Sequence, residues 1–175
     1  MTLLMALTTF CCLAEDVSKA GSLNETLEQT VTFNFPKGWK QAELEKLSPV
    51  IKAMYVGTGK ENFPPSLTLA VEPFSGTLKD YLKIVKNLNS KEKTEWKDLG
   101  KIKTLAGNAS LSQFDEKSNW GVTRSMTTIL VNNGNAYILS ATALKSEFSN
   151  FYKEIFDAML SLNINRPKAL INNEK

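Results

Sequence analysis

The sequence predicts an α/β fold of the α+β type, a mainly antiparallel sheet flanked by helices. Three observations carry this expectation. Strand patterns follow one another directly along the chain, two stripes of helical period interrupt them, and an Asn-Gly turn joins the two clearest strand patterns.

Length and composition set the frame. The chain has 175 residues, room for one domain that buries roughly two thirds of its unfolded surface without a disulfide or metal. Apolar residues make up 42% and charged residues 22%, the balance of a globular protein rather than a disordered one. The net charge of +3 is scattered along the chain, and nucleic acid, which needs a clustered basic stripe, is not an expected partner.

Residues 1–14 carry no charge and hold the run Leu3-Leu4-Met5-Ala6-Leu7, then Phe10 to Ala14. A short apolar core closed by the small-x-small triplet Cys12-Leu13-Ala14 is the pattern of a secretory signal peptide, and it is too short for a stable membrane span. No Lys or Arg precedes it, a departure from the usual charged start, and a buried N-terminal helix is the other reading. Cys11 follows Phe10, and Cys12 follows Phe10-Cys11, so both fit a lipid-attachment site poorly. Release after Ala14 is favoured, and membrane contact is expected only through a lipid anchor. Residues 15–29 read as a polar lead-in.

Val31, Phe33 and Phe35 then alternate with polar residues as a half-buried strand that Pro36 ends, and Gly38 permits a turn that folds Trp39 back. A short helix is expected over 41–47, stopped by Ser48-Pro49. Strands follow at 51–57 and at Leu67, Leu69 and Val71, with a Gly- and Pro-rich loop between them. From Leu78 the period changes. Leu78, Tyr81, Leu82, Val85 and Leu88 form one helical stripe, with Thr77 placed to cap it and Asp80 in the first turn. Strand patterns resume at 96–104 and 108–115, with the Gly107 turn between. The hairpin 121–131/136–143 turns at Asn133-Gly134. A last helix over 147–161 carries Phe148, Phe151, Tyr152, Ile155, Phe156, Met159 and Leu160, and residues 165–175 form a polar tail.

The run Phe33-Asn34-Phe35-Pro36-Lys37-Gly38-Trp39 resembles the opening of PsbP-like domains. So do the helix after Pro73, the Leu105-Ala106-Gly107 turn, the long hairpin, and the terminal helix leading to Ser161-Leu162. The likeness covers roughly residues 30–164 and implies a PsbP-like α/β/α sandwich used as a binding scaffold, without an established catalytic site. The superfamily includes photosystem II extrinsic proteins, a Ran-binding import factor and DcrB-like bacterial envelope proteins. Carried over residue by residue, Phe35, Pro36, Gly38, Trp39 and Gly107 match the pattern, and all are expected to be structural. The histidines linked to metal in photosystem members have no counterpart here.

The chemistry open to the chain is narrow. It has no histidine, and both cysteines lie within residues 1–14. After removal of that segment no thiol, imidazole or common zinc and copper ligand set remains, which excludes Ser–His and Cys–His catalysis. No metal and no cofactor is expected. Gly57-Thr58-Gly59-Lys60 lacks the Gly and Ser/Thr of a phosphate loop, since Met54 and Glu61 stand there. Ser90-Lys91-Glu92-Lys93 has nucleophile–base spacing inside a solvated charge run. Glu43 with Glu45, and Asp115 with Glu116, read as exposed charge rather than the facing carboxylates of a glycosidase. Trp39 and Trp96 read as packing residues. Trp120, in a polar turn, is the best candidate for an exposed binding anchor. Arg124 either recognises a carboxylate of a ligand or pairs with a neighbouring strand. The expected function is a non-catalytic exported binding or assembly factor of the cell envelope, its partner an envelope protein or a small ligand. A carboxylate-dependent hydrolase acting on an envelope polymer, and a secretion chaperone or effector, are the alternatives.

Overall fold

A computed structural model describes residues 30–59, 63–91 and 95–165. The expected signal segment, the lead-in 15–29 and the tail after 165 lie outside the described residues. Seven strands form one antiparallel sheet in the order β2-β3-β4-β8-β7-β6-β5. They are β2 (Lys40–Gln41), β3 (Ile51–Val56), β4 (Ser66–Pro73), β5 (Glu95–Thr104), β6 (Gly107–Ser118), β7 (Gly121–Asn132) and β8 (Asn135–Leu144). Helix α1 (Leu78–Lys91) carries the chain from β4 to the far edge strand β5. The meander β5-β6-β7-β8 then returns to pair β8 with β4, and helix α2 (Phe148–Leu160) follows. This is the α/β/α layering that the PsbP-like resemblance implies.

The two faces of the sheet follow from strand alternation. Leu67 and Leu69 of β4, Met126 and Leu130 of β7, and Tyr137, Leu139, Ala141 and Ala143 of β8 share one face. Against it α2 packs Phe148, Ile155, Ala158 and Met159, all buried. A large apolar side chain moved from water into such a core contributes about 1.5–3 kcal/mol, so this face holds most of the stability. On the opposite face α1 seals the hairpin end, where Tyr81 meets Ile129 and Ala136, flanked by Phe74, Leu78, Leu82, Val85 and Ile138. The Tyr81 hydroxyl donates to the Glu72 carboxylate, and burial followed by that bond pushes the phenol pKa up. Thr77 caps α1 as its sequence predicts, and the cap is reciprocal: Asp80 N–H donates to Thr77 Oγ1 and Thr77 N–H to Asp80 Oδ2, both at 3.3 Å. Asn133 (φ 47°) and Gly134 (φ 74°) both take positive φ, the requirement of a type I′ turn.

Two expectations are corrected. The first strand is short: β1 (Thr30–Thr32) pairs with β9 (Asn163–Asn165) in a separate ribbon rather than with the main sheet. Phe33 and Phe35 leave strand geometry to grip Tyr55, Phe35 stacked at 4.0 Å and Phe33 edge-on at 5.8 Å. Residues 41–47 form no helix; a two-residue strand and turns stand there. A segment of that length with only Leu44 and Leu47 as large apolar residues cannot offset the cost of helix nucleation.

The motif around Trp39 is structural. Trp39 N–H closes a turn on the Pro36 carbonyl, with Gly38 at φ 85° and Pro36 buried. The indole lies edge-on to Phe151 of α2 at 6.1 Å and covers Gly57 so closely that a Cβ there would meet it at 2.6 Å. Gly107, at φ 127°, makes the tight β5–β6 turn. Register between β6 and β7 is pinned by an ion pair: Arg124 donates to both oxygens of Asp115, at 2.7 and 2.9 Å, and Lys145 adds a contact at 2.8 Å. The Arg124 hydrogen bond, then Lys145, holds the Asp115 carboxyl at about 2.

Two predictions follow from this packing. Gly57→Ala forces the Trp39 indole off α2 and is expected to cost about 1–3 kcal/mol, read as a lower urea midpoint; an unchanged midpoint contradicts the contact. The pKa of Asp115 lies below its unfolded value of 3.8. Its contribution is therefore fully present above about pH 4 and lost as pH falls toward about 2. With allowance for solvent near the pair, Asp115→Asn is expected to lower stability at pH 7 by about 1–2 kcal/mol and flatten the acid limb of a pH–stability profile. A parallel acid limb in the variant contradicts this.

Candidate functional site

The α1 face of the sheet is only half covered by α1. Beyond the helix, toward the β6–β7 turn, the face is floored by hydroxyl side chains set in rows by the strand register. Ser66 of β4 lies beside Thr142 of β8, and Thr142 beside Ser125 of β7. One step closer to α1, Thr68 lies beside Ser140, Ser140 beside Thr127, and Thr127 beside Ser112 of β6. Two of these contacts are hydrogen bonds, Ser125 Oγ to Thr142 Oγ1 at 2.8 Å and Thr127 Oγ1 to Ser140 Oγ at 2.9 Å. Ser125 and Thr123 are buried, 4% and 7% exposed, while Ser66, Thr68, Ser140 and Thr142 are half-buried, so the floor is recessed most deeply on its β7 side although it is polar.

Apolar walls rise around this floor. Leu47 and Val50 from the turns before β3, with Ile51 and Met54 of β3, stand on one side. Phe114 and Glu116 of β6 stand on the other, Ala70 and Ile138 close the end toward α1, and Phe63 stands over the mouth. The result is a groove of ≈ 270 Å³. Its segment 44–50 is fixed from within: Ile51 N–H donates to the Ser48 carbonyl at 2.9 Å and Val71 N–H to the Val50 carbonyl at 2.8 Å.

Trp120, the sequence-predicted anchor, borders this groove. Its backbone N–H donates to Ser118 Oγ in the β6–β7 turn, its side chain is 52% exposed, and its ring lies 5.6 Å from that of Phe63. Arg124 lies on the other face of β7, engaged by Asp115 as described. The strand alternation that sends Asp115 to Arg124 sends Glu116 into the groove, so these adjacent acids serve opposite faces. Trp96 of β5 lies under α1, with the Lys86 ammonium 5.4 Å from its ring centroid. Phe35, Pro36, Gly38, Trp39 and Gly107 are all away from the groove lining. Gly57 is covered by Trp39, and its N–H donates to the Pro65 carbonyl, while Lys60 lies outside the described residues. Among the described residues, no three acids come together as a metal-binding group.

The sequence reading missed the floor. Its signal was present in Ser66-Leu67-Thr68-Leu69, Thr123-Arg124-Ser125-Met126-Thr127 and Ser140-Ala141-Thr142, where one parity is hydroxyl throughout. Such a parity reads as solvent-facing unless the covering segment 44–50 is known.

No family model and no curated protein matches this sequence. Solved structures do. LpqN, involved in cell envelope biogenesis of Mycobacterium tuberculosis, is similar at TM-score 0.58 and 16% identity, over 83% of this chain and 88% of that one. PA94, a Pseudomonas aeruginosa protein of unknown function, is similar at TM-score 0.53 and 12% identity, over 74% and 98%. The cyanobacterial PsbP of Synechocystis sp. PCC 6803 aligns at TM-score 0.49 and 10% identity, over 85% and 99%. Identities this low show the fold alone. Among the described residues no helix is long and apolar enough to cross a membrane. With an antiparallel sheet lying between α1 and α2, the chain has an α/β/α fold that it shares with LpqN and PA94.

Proposed function

We propose that this chain is an exported, non-catalytic binding protein of the cell envelope, and that it takes a small ligand into the groove beside α1. The observation that carries this reading is the groove itself, apolar walls over a floor of hydroxyl rows, with the exposed Trp120 beside the half-buried Phe63 at its mouth. Ligand sites are mostly apolar concavities with a few placed polar groups, and this one follows that plan. Trp120 gives an envelope protein an anchor at the same place, so loading and unloading of the ligand can be coupled to a partner. Export rests on the pattern of residues 1–14, and the envelope setting is in keeping with the role of LpqN.

The carboxylate-hydrolase alternative finds less support. Glycoside cleavage uses two carboxyl groups across one cleft. Among the described residues that line the groove, Glu116 is the only acid, and Asp115 is committed to Arg124 on the opposite face.

Two outcomes are expected. The neutral apolar probe N-phenyl-1-naphthylamine gains fluorescence on binding, and Ala70→Phe or Thr68→Phe, each filling the groove, weakens it at least about tenfold, roughly 1.4 kcal/mol. Unchanged binding in both folded variants removes the groove from the account. The intact mass of the protein from its native host is expected to begin at Glu15; a mass beginning at Met1 contradicts export by cleavage.

A further inference from the structure

Resting on the reading of the groove as a ligand site, we infer the class of its ligand: a small neutral amphiphile whose apolar body lies along the walls and whose carbonyl oxygen accepts from the hydroxyl row. Three features lead there.

Hydroxyl accounting comes first. A Ser or Thr hydroxyl has one donor and two lone pairs. In the Ser125–Thr142 pair one O–H is used between the two residues, and the pair has no further side-chain bond among the described residues. One O–H is left to donate, at a site where Ser125 is only 4% exposed. The Thr127–Ser140 pair, one row toward α1, is hydrogen-bonded in the same way, with Ser140 in the groove lining. An apolar molecule that covers these pairs and offers no acceptor leaves a donor buried without a partner, which disfavours it. A carbonyl oxygen facing the row removes that penalty.

Charge comes second. The described lining has no Lys and no Arg. A carboxylate or phosphate drawn onto the floor would lose its hydration with no cation to receive it. The acid Glu116 stands beside Thr123, one row nearer the mouth than the Ser125–Thr142 pair, so a neutral carbonyl is the group that suits the recessed donors.

Shape comes third. A volume of ≈ 270 Å³ holds a body of about nine water-sized atoms, taking ~30 Å³ for each. The row Ser66, Thr142 and Ser125 lies on β4, β8 and β7, each paired on both sides, so no free strand edge is offered there for an extended peptide to join. A medium-length acyl ester or amide fits, with its polar end leaving past Phe63 and Trp120.

The test is competition against bound N-phenyl-1-naphthylamine at concentrations below micelle formation. The competitors share one chain length: monodecanoylglycerol, decanoate and decyltrimethylammonium. The ester is expected to displace the probe at concentrations about tenfold lower than either ion, a difference of roughly 1.4 kcal/mol. In the double variant Ser125→Ala, Thr142→Val the concentration of ester required is expected to rise about three- to tenfold. The naphthylamine, which has no carbonyl and gains nothing from those donors, is expected to bind that variant at least as tightly as wild type, showing that the groove is intact. Equal displacement by an ion, or an ester affinity unmoved in the double variant, overturns the ligand class and leaves the groove standing. Loss of the groove itself is a separate result, read from the naphthylamine and the Ala70→Phe and Thr68→Phe variants.

Discussion

Helix α2 presses Phe148, Ile155, Ala158 and Met159 onto one face of the central strands, and the rest of the fold is arranged around that contact. It gathers the apolar parity of β4, β7 and β8 into a single core, so those strands need no second apolar face to remain folded. Chain economy does the rest. Among the described residues one helix, α1, packs on the opposite face, and it is used at the hairpin end, where Tyr81 is tied to β4 by its bond to Glu72.

What α1 leaves uncovered has to meet two demands that pull against each other. The sheet face near the β6–β7 turn is flanked by Leu47, Val50 and Phe63, yet among the described residues no packed partner fills it. Apolar side chains there would form a sticky hollow, and ionised ones would be desolvated. Rows of Ser and Thr meet both demands, because neighbouring strands bring Ser125 within reach of Thr142 and Thr127 within reach of Ser140. Each cross-strand pair still keeps an unused donor. The same arrangement that makes the face tolerable without a ligand therefore gives it something to offer one.

Much of the architecture was legible in the sequence because local periodicity and final burial agree. The stripe from Leu78 to Leu88, the aromatic stripe of α2, the Thr77 cap and the Asn133-Gly134 turn all became what their spacing predicts. The opening strand did not, because Phe33 and Phe35 find a better partner in the Tyr55 ring than in a neighbouring strand. The exposure of Trp120 could be read from its polar turn. Its position could not, since Phe63 and the groove mouth reach it only through tertiary contacts. Arg124 was open to two readings, and strand register supplies the partner that one of them asks for. Ser118 opposite Gly121 in the β6–β7 turn places Asp115 opposite Arg124, and the two side chains pair across the strands. The hydroxyl floor stayed hidden for a different reason: its pattern is that of a solvated face, and only the fold of residues 44–50 over it changes the meaning.

The central claim is that this half-covered face, and no other part of the molecule, receives a ligand. Methyl-resolved NMR during titration with monodecanoylglycerol addresses it most directly. Ile51, Met54 and Ile138 line the groove, whereas Met126, Ile155 and Met159 are buried beneath α2 on the opposite face. The account predicts saturable shifts and intermolecular contacts at the first three methyl-bearing residues, with the second three unmoved. Shifts confined to the α2 face, or spread evenly through both sets, would contradict it.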